Sequence, residues 1–295
     1  MDTQKLLTVI KEVSVEAGLA ILDVYHSCTD MQVEYKEGQM PLTAADKASN
    51  ALIVERLRKE FSEYAILSEE EKDDRKRLDN PYCFVVDPLD GTKEFIKRNG
   101  QFTVNVALAK DHKTVLGVIY VPVTGELYYA AQGEGAFLSC LDVEKLEQER
   151  IATQTDGIVS AGQKAQRNEI ARAAIAAVEP EKLGVSDRTE DLRVVMSSSH
   201  GCEQMDRLLE KYHLTNFVKI GSSLKGCLIA KGEAEVYYRY NPTMEWDTAA
   251  MQCIVEEAGA TFMQMDDTPM LYNRENSLNE KGFYIINSSK NKLEL

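Results

Sequence analysis

Several large classes of protein are excluded by what this chain lacks. Its six cysteines (Cys28, Cys83, Cys140, Cys202, Cys227, Cys253) form no Cys-x-x-Cys pair. That removes a structural zinc motif and a dithiol redox motif, and fits thiols kept reduced. Histidine is scarce: four residues, His26, His112, His200 and His213, are too few and too scattered for an imidazole-based metal site. No long apolar run exists. The longest segment without a charged side chain is the 12 residues 114–125, well short of the roughly 20 apolar residues of a membrane-spanning helix. Basic residues are in deficit, with 34 Lys and Arg against 48 Asp and Glu, a net charge of -14. A general nucleic-acid or anionic-membrane surface is thereby disfavoured. The opening Met1-Asp2-Thr3-Gln4-Lys5 has neither the basic start nor the apolar block of a secretory signal, so a cytoplasmic location is expected.

What remains is an ordinary globular composition, 44% hydrophobic and 28% charged over 295 residues, long enough for two domains or one large α/β unit. Leu6, Ile10, Val13, Ala17, Ala20 and Val24 follow one another at steps of 4, 3, 4, 3 and 4, the stripe of a first helix. Thr43 with Asp46 three residues on has the form of a capping box, followed by Ile53, Leu57 and Phe61 as the buried stripe of a second helix. Residues 82–87 are a short β-prone run and 103–108 alternate as a half-buried strand does. Residues 115–121 and 127–131 flank Pro122-Val123-Thr124-Gly125, a hairpin turn. The first half thus predicts helices over a mostly antiparallel sheet.

Beyond residue 192 the pattern alternates: strands at 192–196, 216–220, 234–238, 261–262 and 283–286, and helices at 202–212, 223–230 and 248–258. This is the α/β signature. The intervening 141–191 is rich in charge and alanine, with a helix expected at 168–178, and a boundary is placed near residue 145.

Asp87-Pro88-Leu89-Asp90-Gly91-Thr92 sets two carboxylates at the end of an apolar strand, on a turn shaped by Pro88 and Gly91. Ser68-Glu69-Glu70-Glu71 follows another apolar run, and Trp246-Asp247-Thr248 places an acid at a helix start. Each has an ordinary structural reading: turn formers at Asp87 and Asp90, caps at Asp46 and Asp247, a solvated acidic run at residues 69–71. Together they point elsewhere. Two unit charges about 4 Å apart repel by roughly 4 kcal/mol at an effective dielectric of 20, so a fold that gathers several must protonate them or bind cations. Hard oxygen donors without His or Cys favour Mg²⁺ or Mn²⁺.

Leu67-Ser68-Glu69-Glu70, Asp87-Pro88-Leu89-Asp90-Gly91-Thr92-Lys93-Glu94-Phe95 and Trp246-Asp247-Thr248-Ala249-Ala250, in this order, resemble the lithium-sensitive, magnesium-dependent phosphomonoesterase superfamily that includes inositol monophosphatase. The continuation Lys93 to Gly100, with Gly221-Ser222-Ser223-Leu224-Lys225, is similar to its 3'(2'),5'-bisphosphate nucleotidase branch, CysQ type. Inositol monophosphatases typically have Thr-Asn-Phe where Lys93-Glu94-Phe95 stands here.

The resemblance implies a layered αβαβα sandwich (α+β or α/β), with residues 1–145 an α+β domain carrying metal-binding motifs and residues 146–295 an α/β domain carrying nucleotide contacts. It implies that Glu69, Asp87 and the Leu89 carbonyl bind one Mg²⁺, that Asp87, Asp90 and Asp247 bind a second, and that Glu69 helps with a third, Mn²⁺ being a substitute. Asp46 matches the acid paired with Thr92, which takes the proton from the attacking water. Lys36 matches a mobile-loop lysine. Ser197, His200, Gly221, Ser222 and Lys225 would contact nucleotide, and Arg239 is a phosphate partner. Gly221-Ser222-Ser223 also leads into a predicted helix, whose N-terminus suits an anion.

The implied activity is hydrolysis of the 3'-phosphate of 3'-phosphoadenosine 5'-phosphate to AMP and phosphate. The partner is a small nucleotide, and the pattern carries no signal of oligomeric state. Alternatives are an inositol phosphate phosphatase, including one acting on inositol 1,4-bisphosphate, and a non-catalytic nucleotide sensor. The mechanistic rival is an aspartyl-phosphate intermediate, against which Asp87 and Asp90 both look committed to metal. Two departures from the nucleotidase pattern, Asn241-Pro242-Thr243 in place of Gly-Pro-Thr and the length of 141–191, bear on substrate breadth and the cleft rim.

Overall fold

A computed structural model describes residues 2–27, 33–35, 41–73, 75–152, 161–198 and 201–295. Helix α1 (Thr3–His26) opens with Asp2 accepting from the Lys5 N–H. Helix α2 (Ala44–Glu60) starts on the expected capping box, Thr43 and Asp46. Strands β1 (Ala65–Ser68), β2 (Tyr82–Asp90), β3 (Thr103–Lys110), β4 (Lys113–Val121), β5 (Glu126–Ala131), β6 (Gly135–Cys140) and β7 (Glu181–Lys182) form a seven-stranded sheet in sequence order. Only the β1–β2 pair is parallel. The hairpin between β4 and β5 turns at Gly125, φ +73°.

Helices α3 (Val143–Ala152) and α4 (Ala161–Ala176) lead to the second half. There β8 (Val194–Ser197), β9 (Phe217–Ile220), β10 (Val236–Arg239), β11 (Thr261–Gln264) and β12 (Phe283–Ile286) form a five-stranded sheet in the order β9-β8-β10-β12-β11. Helices α5 (Glu203–Lys211), α6 (Leu224–Ala230) and α7 (Glu245–Glu257) accompany it.

Side-chain alternation explains the layering. Ile10, Val13 and Leu19 of α1 pack with Ile53 and Leu57 of α2 against Phe84, Val86, Val104 and Val106 on one sheet face. The next residues along, Val85 and Ala107, face the other way, onto Met251 and Ile254 of α7 and Ile229 of α6. The five-stranded sheet repeats the device: Val195, Tyr237 and Ile285 face α7, while Val194, Val236 and Ile286 face Met205 and Leu208 of α5. Period-two alternation with both faces covered is what a buried sheet requires. The layers run helix, sheet, helix, sheet, helix, the expected sandwich.

Three differences have physical causes. Strand β3 is buried along both faces rather than half-buried, because α1 and α2 cover one face and α6 and α7 the other, enclosing the polar Thr103 and Asn105. Helix α3 went unforeseen because its buried residues are Leu146 and Arg150, and Arg150 is held by Asp23 and Glu147 instead of by apolar contacts. Helix α7 begins three residues earlier than expected, so Asp247 lies in its first turn. Among the described residues no helix is long and apolar enough to cross a membrane, and the described cysteines Cys83, Cys140, Cys202, Cys227 and Cys253 are free.

Candidate active site

The parallel pairing of β1 with β2 sets Ser68 opposite Val86, and the Glu69 N–H donates to the Val86 carbonyl at 3.1 Å. Glu69, just past the end of β1, and Asp87, within β2, therefore stand side by side. In a regular strand Asp87 and Asp90, three apart, would point to opposite faces. The ladder shifts between them: Asp87 pairs with Asn105 but Asp90 with Thr103. This bulge re-aims Asp90 toward the space that Asp87 faces.

Gly91 completes the turn at φ +96°, and a Cβ there would stand 2.9 Å from the Gln101 carbonyl oxygen. Replacing it imposes both a left-handed backbone and a clash. Gly91→Ala is expected to cost about 2 to 4 kcal/mol in urea denaturation and to depress turnover, because Asp90 and Thr92 flank the turn. Normal stability and turnover would remove the turn from the placement of the site.

Past Gly91, a short helical turn (Thr92–Ile96) begins. The Thr92 hydroxyl lies 3.2 Å from Asp46 Oδ1 and 3.4 Å from the Leu89 carbonyl. Asp46 Oδ2 takes the Thr43 N–H at 2.7 Å and the Thr43 hydroxyl at 2.6 Å. The two readings of Asp46 thus coexist: one oxygen caps α2, the other faces Thr92. Burial raises the Asp46 pKa from its ordinary value.

The second half closes the site. The Asp247 carboxylate accepts from the Met244 N–H at 2.7 Å, and oxygens of Asp87, Asp90 and Asp247 all lie within 4.8 Å of one another. Burial first, then the charges of Glu69, Asp90, Asp247 and Asp46, push Asp87 well above the usual carboxyl range. Asp247 is pushed up to about 8, mainly by burial and then by Asp90. Converging carboxylate oxygens are the donor set a hard divalent cation neutralises, and three carboxylates with no nitrogen or sulfur among them fit Mg²⁺ or Mn²⁺.

These acids line one side of a cavity of about 610 Å³ whose wall also includes Ser197, Gly221, Lys225 and Arg239. Lys225 is buried, its ammonium donating to the Ser222 carbonyl and lying 5.8 Å from the Tyr237 ring centre. Burial lowers its pKa to about 8, with Asp90 opposing that shift and Arg239 adding to it. Gly221 leaves room for Glu94: a Cβ would sit 2.7 Å from Glu94 Cγ.

Glu69, Asp87, Leu89, Asp90, Thr92 and Asp247 thus share one cavity with Ser197, Gly221, Ser222, Lys225 and Arg239, while Asp46 stands behind Thr92. His200 and Lys36 lie outside the described residues. At the start of α6 the anion is the protein's own: Asp90 Oδ2 takes the Ser223 N–H at 2.7 Å and the Ser222 hydroxyl at 2.7 Å. Ser222 adopts φ +57° to do so. Sequence reasoning missed Thr103, Asn105 and the role of Ser223. Their signal was a pair of polar residues in a strand otherwise apolar on both faces.

The inositol monophosphatase family model matches residues 2–293. The chain is 35% identical to the 3'(2'),5'-bisphosphate nucleotidase CysQ of Salmonella typhimurium, covering 95% of this chain and 99% of that one, and 34% identical to CysQ of Escherichia coli K12 over the same shares. Among solved structures, CysQ from Bacteroides thetaiotaomicron superposes with a TM-score of 0.76 at 34% identity, covering 98% and 99% of the two chains. An inositol monophosphatase from Anabaena, 22% identical with a TM-score of 0.68 over 99% and 94% of the chains, shares the fold. With its motifs, its layers and nearly its whole length in agreement, the chain belongs to the inositol monophosphatase family.

Proposed function

We propose that this chain is a cytoplasmic, Mg²⁺-dependent phosphomonoesterase that removes the 3'-phosphate of 3'-phosphoadenosine 5'-phosphate, giving AMP and phosphate. The observation that carries the reading is the meeting of Asp87, Asp90 and Asp247 within 4.8 Å, in a cavity whose wall also holds Lys225 and Arg239. The activity named for the CysQ relatives supports a nucleotide as substrate.

Glu69, Asp87 and the Leu89 carbonyl would hold one Mg²⁺, Asp87, Asp90 and Asp247 a second, and Glu69 would assist a third, with Mn²⁺ accepted by the same oxygens. Bound divalent cations supply charge neutralisation on the phosphate, a lowered pKa for water and stabilisation of an in-line displacement. Thr92, its hydroxyl directed at Asp46, receives the proton of the attacking water as it passes its own to Asp46. Burial makes Asp46 a better proton acceptor than an exposed carboxylate. A water nucleophile predicts no hydroxylamine-sensitive phosphoenzyme.

Residues 1–145 would then carry the proton-transfer pair and all the metal-holding groups except Asp247, and residues 146–295 the nucleotide contacts. Ser197, His200, Gly221 and Ser222 form the nucleotide side. Lys225 and Arg239 would meet the phosphate that the cations do not reach, Arg239 through a bidentate contact. Lys225→Ala and Arg239→Ala should each raise KM for the nucleotide by about tenfold or more with far smaller changes for a monophosphate substrate. Phosphate release from 3'-phosphoadenosine 5'-phosphate, inositol 1,4-bisphosphate and inositol monophosphate, with Mg²⁺ and with EDTA, tests the whole. Preference for an inositol phosphate, or release that survives EDTA, overturns it.

A further inference from the structure

Asp90 Oδ2 is the acceptor of an unusually dense set of donors. Besides the Ser223 N–H and the Ser222 hydroxyl, it receives the Ser223 hydroxyl at 2.9 Å and the Asn105 amide at 3.3 Å. One carboxylate oxygen offers about two acceptor sites, so these contacts more than fill Oδ2, and coordination of a cation by Asp90 falls to Oδ1.

Asn105 organises this cluster. Its Nδ2 also donates to the Ser223 hydroxyl at 2.9 Å, and its Oδ1 takes the Thr103 hydroxyl at 2.8 Å. The amide orientation is dictated by charge, since the reverse would press an oxygen against the Asp90 carboxylate. Thr103 lies 2.7 Å from the Ser222 hydroxyl. The single Ser223 hydroxyl proton lies between Asp90 Oδ2 at 2.9 Å and the backbone carbonyl of Asp247 at 3.2 Å. Thr103 and Asn105 sit on a central strand of the first sheet and are 0% and 1% exposed, so water cannot replace their bonds.

We infer that Asn105, fixed by Thr103, is a positioning residue that locks the Asp90 carboxylate with Oδ1 toward the cation and holds it, through Ser223, in register with Asp247. The inference rests on the proposed reading of Asp90 as a metal-holding acid. Residues that orient metal-holding carboxylates by hydrogen bonds are worth about 10 to 100-fold in metal affinity. Asn105 and Thr103 touch neither substrate nor cation in this scheme.

The experiment measures the Mg²⁺ concentration giving half of the full thermal shift, without substrate, in the full chain. Asn105→Ala should raise this midpoint about 10 to 100-fold. The near-isosteric Thr103→Val, which removes one hydroxyl and keeps the packing, should raise it several-fold, and Thr103→Ser should restore it. At saturating Mg²⁺ the KM for 3'-phosphoadenosine 5'-phosphate should stay within about twofold of wild type. Variants with a lower metal-free melting temperature but a wild-type midpoint mark a merely structural role and overturn the inference, as does failure of Thr103→Ser to restore the midpoint. If Asn105→Ala does not fold, Thr103→Val and Thr103→Ser decide. A wild-type protein that shows no Mg²⁺ shift sinks the metal reading and this inference together, whereas unchanged midpoints in the variants beside a normal wild-type shift sink this inference alone.

Discussion

Asp87→Asn is expected to abolish measurable phosphate release while making the metal-free protein more stable at pH 8. The two effects come from one charge. Asp87 is 1% exposed and sits among Glu69, Asp90, Asp247 and Asp46, all of which raise its pKa. Asn supplies the neutral side chain that burial and these neighbours demand without the cost of protonating a carboxylate at pH 8, and it retains the oxygen that accepts the Leu89 N–H at 3.1 Å, so the bulge keeps its geometry. A gain of about 1 to 3 kcal/mol in urea denaturation with EDTA follows, because the wild type must take up a proton at Asp87 on folding at pH 8 and the Asn variant need not. The loss in kcat/KM should be about 10³-fold or more, the equivalent of several kcal/mol of transition-state stabilisation. An Asn variant that is less stable without metal would contradict an Asp87 carboxyl held neutral by burial and by its acidic neighbours.

Without metal, stability is expected to fall as pH rises from 5 to 8. The folded Asp247 carboxyl has a pKa of about 8, whereas an unfolded aspartate releases its proton near 3.9. Between those values the native state binds more protons than the unfolded state, so each rise in pH favours unfolding. Asp87, displaced in the same direction, adds to the slope. Lys225, lowered to about 8, is charged in both states over most of this window and contributes only near its upper end. The expected loss is about 2 to 4 kcal/mol, discounted because Asp247 faces the cavity, or roughly 5 to 10 °C in Tm. Saturating Mg²⁺ should flatten or reverse the slope, because the cation competes with protons for the same oxygens. A metal-free Tm that climbs from pH 5 to 8 would count against a protonated acid cluster.

The parts of the molecule most legible in the sequence were those in which one physical signal dominates. The stripe from Leu6 to Val24 reported α1 because its buried face is apolar, and Thr43 with Asp46 reported the start of α2 because the capping box is local. Phe283–Ile286 appeared as a strand with the bounds expected. Helix α3 was hidden because ion pairs, not apolar residues, hold it. The acids were legible as motifs, but their convergence depends on a ladder shift between Asp87 and Asp90 that no local pattern announces. The start of α6 reads in the sequence as a place for a substrate anion, and the anion found there is Asp90, 133 residues away in the chain from the Ser223 N–H that binds it. Long-range partners of that kind leave no trace in spacing.

Helix α7 lies between the two sheets, with Ala249, Ile254 and Val255 fully enclosed. An element gripped on both sides cannot swing, so the acid it contributes is a fixed reference point for the acids of β2. Arg239, Pro242 and Thr243, by contrast, are partly or wholly open to solvent on the cavity wall. Mutational drift should therefore be steeply unequal across a few ångströms: the hydrolytic floor tolerates almost nothing, while the rim is free to diversify. Such a division lets one inherited scaffold acquire new phosphate esters through rim changes alone.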